Sequence, residues 1–480
     1  MIPSRTNGDV AHSLRGLRLD GAALVHGSPG FADATRTFNG RYRDVEPAAI
    51  VRCASSEDVA RALAFATQRG IPVAVRSGGH SFAGLSTTSG LVIDTGPMDR
   101  ITITGNRVTV GAGVQLGHLY ATLNPHGLTI PGGTCPTVGI AGLTLGGGLG
   151  ILGRSWGVTS DRLIQAEAVL ADGTIVTCDT SRHPDLFWAL RGGGTTGVAV
   201  VTSLTFDTVP IPEHAVDLHA RWPVHAASSV IAAWQRWAPD EPDALAASLK
   251  VTVPAAGEPR VDLYATWFGD PDEGERRMHR FTGQLGEAGV AAADVATAVT
   301  DYGGAIRFWA DLGQPSTETG AGGEHSTAAA TTPELLYSSS HYFGGPMSSR
   351  ITDQLLEVVA AHPHDEHSRE LDFMPWGGAY NRTLDTETAF VHRDASFLLK
   401  QTTALPLQAS KGAQDAASEH LRQMAATTRP AGTGRAFQNF ADSDQLHDAE
   451  AFYGTNLQRL RDIRRQYDPR GLLSQGVPLD

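Results

Sequence analysis

From residue 48 the chain alternates short apolar runs with amphipathic ones. Ala49 to Cys53 predicts a buried strand, and Ser55 and Ser56 followed by Glu57 and Asp58 form a helix start, with a hydroxyl for an orphan amide and acids against the positive end. Val59, Leu63 and Ala66 recur at helical spacing until Gly70 supplies a stop. Pro72 to Val75 predicts the next strand and leaves Arg76 to Ser81 as the loop at its end, where α/β proteins gather ligands. Leu91 to Asp94 predicts a further strand. Alternation from Ile101 to Val110 around Gly105-Asn106 predicts a hairpin. Val114 to Asn124 predicts a helix with Leu116, Leu119, Tyr120 and Leu123 on one face. Glu167 to Thr177 predicts a second hairpin, Pro184 to Leu190 a short helix and Val198 to Val209 a strand.

Past Pro210-Ile211-Pro212 the pattern shifts to long amphipathic runs, such as Ala226 to Trp237 and Thr352 to His362, which predict a second, α+β domain covering the first. Within it Gly313 to Thr332, rich in Gly, Ser and Thr, predicts a mobile loop. A last helix is expected from Asp448 to Tyr467, with Leu457, Leu460 and Ile463 on one face. The stretch Thr129 to Gly150 fits neither periodicity: it has almost no charge and too many glycines for a stable helix or strand, so it needs something to pack against.

Composition narrows the partners. With 480 residues, 41% hydrophobic and 19% charged, the chain is long enough for several domains. A net charge of −13 argues against nucleic acid or an anionic membrane surface and for a small or neutral partner. No run approaches 18 apolar residues, and Met1 to Leu24 has no signal-peptide core, so a cytoplasmic location is expected. The cysteines Cys53, Cys135 and Cys178 are too few for a disulfide framework or a zinc site. Cys53 and Cys178 lie in apolar runs and read as inert thiols, whereas Cys135 has no packing reason to be where it is. His362, His364 and His367 read as a solvated loop, and no metal is expected.

Arg76-Ser77-Gly78-Gly79-His80-Ser81 and Pro131-Gly132-Gly133-Thr134-Cys135-Pro136-Thr137-Val138-Gly139, continuing into Gly146-Gly147-Gly148-Leu149-Gly150, carry the chemistry. Glycines turn backbone amides inward to form an anion nest and let a ligand approach closely. They also simply make tight turns. What favours a phosphate-bearing cofactor is that each stretch holds one nucleophile, His80 or Cys135.

Together with Asp-Leu-Phe-Trp-Ala-Leu-Arg-Gly-Gly-Gly from Asp185, and with Tyr453, Asn456 and Tyr467-Asp468-Pro469, these motifs resemble the FAD-linked oxidases of the vanillyl-alcohol-oxidase type, in particular the berberine-bridge-enzyme-like branch. The resemblance implies an α+β fold: a split FAD-binding domain of two α/β subdomains, residues 1–209 and 431–480, interrupted by a substrate domain of antiparallel sheet and helices, residues 210–430. It implies FAD bonded to His80 through the 8α carbon and to Cys135 through the 6-position. A thiolate and an imidazole are both good nucleophiles toward an electron-poor ring. Further cofactor contacts are expected from Arg76, Ser77, Gly78, Gly79 and Ser81, where amides and hydroxyls would meet the pyrophosphate. Others are expected from Gly132, Thr134, Gly139, Gly142, Gly146, Gly147 and Gly148, and from Val200, Tyr453 and Asn456. Val138 reads either as the gate on the oxygen side or as an ordinary core valine.

The chain departs from the family at Leu143, at Gly194-Thr195-Thr196-Gly197 and at the position of the base. Leu149 and Phe437 stand where relatives carry tyrosines, Phe440 where they carry tyrosine or phenylalanine, and Asn381-Arg382 stands near the place of a plant glutamate. A proton must leave as hydride leaves carbon, and the remaining candidates are His341, Tyr342, Asp372 and Tyr380; His392-Arg393 reads as structural. The expected activity is hydride removal from a bulky secondary-metabolite-type alcohol, amine or activated C–H, with O2 taking the electrons to give H2O2. Oxidative cyclisation is an alternative, and a flavin-binding protein without turnover a weaker one.

Overall fold

The computed structural model describes residues 14, 16–312, 334–361, 366–473 and 476–479; the run Gly313 to Thr332, His362 and His364 lie outside them. Its first sheet has four strands in the spatial order Ala22–Leu24, Ala49–Arg52, Leu91–Asp94 and Val73–Arg76, parallel except for the first. The helix Ser56–Arg69 is the crossover. Ser55 caps it by accepting from the Asp58 amide, and Gly70 ends it in the left-handed conformation at φ 62°. The register sets Arg76 against Asp94, so residues 76–81 leave from the rim of the sheet.

A second, antiparallel sheet has the order Ile101–Thr104, Arg107–Gly111, Val200–Asp207, Leu163–Val169 and Ile175–Cys178. The helices Leu116–Leu123 and Pro184–Leu190 bury Leu119, Leu123, Phe187 and Trp188 in one core with Val108, Leu204 and Phe206. Phe452, Tyr453, Leu460 and Ile463 enter the same core, so the end of the chain returns to its first half. The single helix expected from Asp448 to Tyr467 is broken into Ala449–Tyr453 and Leu457–Tyr467 by a turn at Gly454, φ 44°. The glycine-rich stretch also differs from expectation, because Ile140–Leu145 is a short helix. Its start is held by the Ile140 amide donating to Val114 and its end by Asn439 Nδ2 donating to the Leu143 carbonyl, and this packing outweighs weak propensity.

The third sheet is antiparallel and seven-stranded, in the order Asp294–Thr300, Ala215–Pro223, Arg260–Phe268, Leu245–Val253, Ser368–Pro375, Phe397–Pro406 and Glu334–Phe343. Helices Ala227–Trp237, Pro271–Glu287, Ser349–Ala360 and Lys411–Thr428 cover one face, where Leu249, Leu371 and Leu399 meet Trp234, Phe281, Leu355 and Leu421. Strand alternation turns the intervening residues to the other face. There the register sets Arg221, Asp262, Lys250, Asp372 and Lys400 side by side on five consecutive strands. The fold is thus α+β: two smaller sheets with their helices, and a seven-stranded antiparallel sheet covered on one face by helices. His367 is not part of a solvated loop: it is buried, with Nε2 3.3 Å from His420 Nδ1. Among the described residues, no helix is long and apolar enough to cross a membrane.

Candidate active site

The two glycine-rich loops lie backbone against backbone. A Cβ on Gly78 would stand 2.3 Å from the Gly139 amide nitrogen, and one on Gly139 would stand 2.1 Å from Ser77 Oγ. Only glycine permits this approach. The contact brings the nucleophiles together: Thr137 Oγ1 is 2.9 Å from His80 Nε2 and 3.6 Å from Cys135 Sγ. Phe38 stacks on the His80 ring at 4.4 Å. Burial pushes the His80 imidazole down to about 4, so its neutral form, with a free lone pair, prevails near neutral pH. Cys53 and Cys178 are fully buried, which pushes both thiols up, Cys178 to about 12. Cys135 is half-buried.

The loops also present donors. Among the described residues, the amides of Ser77, Gly78, Gly79, His80, Gly133, Thr134 and Cys135 have no acceptor in the protein. Arg76 is buried, and its terminal nitrogens have no hydrogen-bond partner there, with Asp94 Oδ2 at 3.6 Å. Buried donors of this kind need a ligand or water. Of the expected serine hydroxyls, Ser77 Oγ donates its proton to the Ala112 carbonyl at 2.6 Å, whereas Ser81 Oγ accepts from the Leu85 amide and keeps its own proton to give.

Several glycines answer to protein neighbours instead. A Cβ on Gly146 would strike Asn439, one on Gly147 Phe390 and one on Gly148 Thr159, whereas Gly142 faces open space. The Cβ of a residue at 132 would meet the Tyr120 hydroxyl at 2.7 Å. Val200 is a core side chain between the first two sheets. The Tyr453 hydroxyl lies 2.9 Å from Thr195 Oγ1, and Asn456 Nδ2 holds the carbonyls of Asp385 and Thr388. All three side chains are buried and engaged with protein neighbours.

The four candidate bases separate. His341 shares strand parity with Tyr337 and Phe343 and turns to the helical face, where Nδ1 lies 2.9 Å from Thr428 Oγ1. It is on the wrong side of the sheet. Tyr380 donates to the Gly150 carbonyl at 3.0 Å and stacks on Trp376 at 4.1 Å. Tyr342 stacks on His392 at 4.3 Å, its hydroxyl buried and without a partner among the described residues. Burial pushes both phenols far up, so neither is a phenolate near neutral pH. Asp372 alone stands in the charged row, accepting from Ser248 Oγ at 2.5 Å, and burial pushes its carboxyl up. Arg393 grips Asp161 at 2.8 and 2.6 Å, an ion pair between distant segments.

An FAD-binding-domain family model matches residues 47–179, and a berberine and berberine-like model matches residues 436–476. YgaK, an uncharacterized FAD-linked oxidoreductase of Bacillus subtilis, is 30% identical over 477 residues, covering 96% of this chain and 97% of that protein. The chain belongs to the berberine-bridge-enzyme-like FAD-linked oxidoreductases. The chitooligosaccharide oxidase of Gibberella zeae is 26% identical over 463 residues, 93% of this chain and 90% of that one. A glucooligosaccharide oxidase of Acremonium strictum, described for its 6-S-cysteinyl, 8α-N1-histidyl FAD, superposes with a TM-score of 0.83 at 22% identity, covering 99% and 100% of the two chains. As a member of the berberine-bridge-type branch, this protein is an FAD-dependent oxidoreductase. The unpartnered amides, the Arg76 guanidinium and the open space at Gly142 fit a dinucleotide with its diphosphate. Sequence reading missed Thr137 and Phe38. Thr137 had a signal, a hydroxyl two residues from a suspect cysteine, but Phe38 had none.

Proposed function

We propose that the protein is a bicovalent flavin oxidase, with FAD attached at His80 and Cys135, acting on a bulky secondary-metabolite-type alcohol, amine or activated C–H compound. The observation that carries this reading is Thr137, one hydroxyl in contact with both nucleophiles. Bound FAD supplies a hydride acceptor and passes the electrons to O2, giving H2O2. The neutral imidazole and the thiol present lone pairs to the same space, which suits two bonds to one ring system. The free amides and Arg76 hold the diphosphate, and Val138, half-buried next to Thr137, borders the oxygen side. Residues 210–430 form the substrate domain, and residues 1–209 and 431–480 the FAD domain. Phe82, Phe437 and Phe440 meet edge to face, an aromatic lining that suits a large, partly apolar substrate better than a small hydrophilic one.

Acid precipitation tests the attachment. A yellow pellet whose flavin stays with tryptic peptides containing both His80 and Cys135 is expected, and free flavin in the supernatant refutes the proposal. Cys135→Ala is expected to leave flavin on the His80 peptide alone. Anaerobic addition of polyketide, alkaloid and glycoside substrates is expected to bleach the flavin with at least one of them, and readmitted air to yield H2O2.

A further inference from the structure

The chain contains three lysines against thirty-five arginines. Lys411 is exposed. The other two, Lys250 and Lys400, flank Asp372 on neighbouring strands, on the sheet face that looks toward the His80 loop. A sequence that otherwise writes its cations as arginine has kept amines at this place. The chemical difference is that an ammonium can lose its proton whereas a guanidinium cannot.

The two lysines are not equivalent. Lys250 Nζ is 3.3 Å from Glu370 and 4.0 Å from Asp372, and those contacts hold its charge and push its pKa up. Lys400 Nζ makes no hydrogen bond or ion pair to a described residue. Its Nζ lies 4.8 Å from the Phe82 ring and 4.9 Å from the Phe440 ring, between the His80 loop and the Phe437–Phe440 run, and part of its surface remains open. Phe82 in turn meets Phe38, the ring stacked on His80. The charged groups facing Lys400 are Asp372 and Glu370 on one neighbouring strand and Lys250 beyond it. Ser340 is its cross-strand neighbour on the other side and commits its hydroxyl to the Phe437 amide. Burial outweighs the two carboxylates and lowers the Lys400 pKa from its ordinary value.

We propose that Lys400, as the neutral amine, is the catalytic residue that takes the proton given up by the substrate's O–H or N–H. The inference rests on the oxidase reading above and fills the place left by Phe437. The substrate C–H breaks with its electron pair going to the flavin and the O–H or N–H breaks with its proton going to Nζ. A C=O or C=N bond forms, and the resulting ammonium returns its proton to water.

The scarcity of lysine makes the test direct. Holoenzyme carrying 13Cε,15Nζ-lysine gives three side-chain signals, assigned with K400M and K411M. Lys400 is expected to titrate below Lys411; titration at or above Lys411 overturns the proposal without touching the oxidase reading. K400M, with flavin still attached, is expected to slow anaerobic flavin reduction about 100-fold or more and to lose the ionisation seen in the wild-type pH profile. K400R is expected not to rescue it, because arginine cannot accept the proton. Rescue by K400R assigns Lys400 to charge alone and overturns the proposal, as does a K400M rate within twofold of wild type. K411M is the control and leaves the rate unchanged. Should no compound reduce the wild-type flavin, the oxidase reading fails and this inference fails with it, whatever the titration shows.

Discussion

At Gly139 an alanine methyl would meet Ser77 Oγ at 2.1 Å and the Gly78 nitrogen at 2.3 Å. The Ser77 hydroxyl is tied to Ala112 and the nitrogen is backbone, so neither neighbour yields cheaply. Gly139→Ala is therefore expected to cost about 1–3 kcal/mol through overpacking and to part the loops that bring Thr137 to His80 and Cys135. The flavin-to-protein absorbance ratio of the purified protein reads this, and a ratio equal to wild type would show that the loop contact is dispensable. His80 and Cys135 stand out in the sequence because reactive side chains set among glycines have few structural reasons to be there. Their meeting was not, since Thr137 and Phe38 reach His80 only through the fold. His341 was misread for a simpler reason: its parity with Leu335, Tyr337 and Phe343 already assigned it to the apolar face of its strand.

Among the elements, those marked by local chemistry came out as expected. Ser55 and Gly70 bound the first long helix, and the Gly105-Asn106 turn joins Ile101–Thr104 to Arg107–Gly111. The misses are elements set by distant partners. The short helix Ile140–Leu145 depends on Asn439, and the break at Gly454 serves Asn456, which turns its amide onto the backbone of residues 385–388. Asn456→Ala leaves buried carbonyls without a donor and is expected to destabilise the protein by about 1–3 kcal/mol, seen as a lower midpoint in urea with unchanged slope. The same substitution is expected to leave the proposed attachments of the flavin intact, because the side chain is tied to residues 385–388 and touches neither glycine-rich loop. The register of the seven-stranded sheet was invisible beforehand, since each strand alone shows only one to three charges. Their alignment into a row needs the pairing.

Across the whole molecule, buried histidines tie stability to pH. His341 is fixed between sheet and helix and His392 beneath Tyr342; burial, helped by Arg429 at His341 and by Arg435 at His392, pushes them down to about 4 and about 3. In the unfolded chain each titrates near its ordinary ~6.5. Between those values the unfolded state binds more protons, so stability is retained above about pH 6.5 and falls as the pH drops toward 4. The thermal midpoint is expected to decline over that window, and His341→Gln to flatten part of the decline; a midpoint level from pH 7 to 4.5 would contradict it. Arg41 with Asp442 and Arg393 with Asp161 join segments far apart in sequence, and neither pairing was readable from local pattern.

The burial of Cys53 and Cys178 has a practical consequence. With those thiols shut away and pushed toward high pKa, the native protein offers a maleimide one reachable sulfur, Cys135. If FAD bonds to that sulfur as proposed, the resulting thioether no longer reacts, so each chain alkylated under native conditions would report a chain that has not matured. A mass spectrum of the alkylated preparation would then count finished against unfinished molecules, with no need for a substrate or for the colour of the flavin.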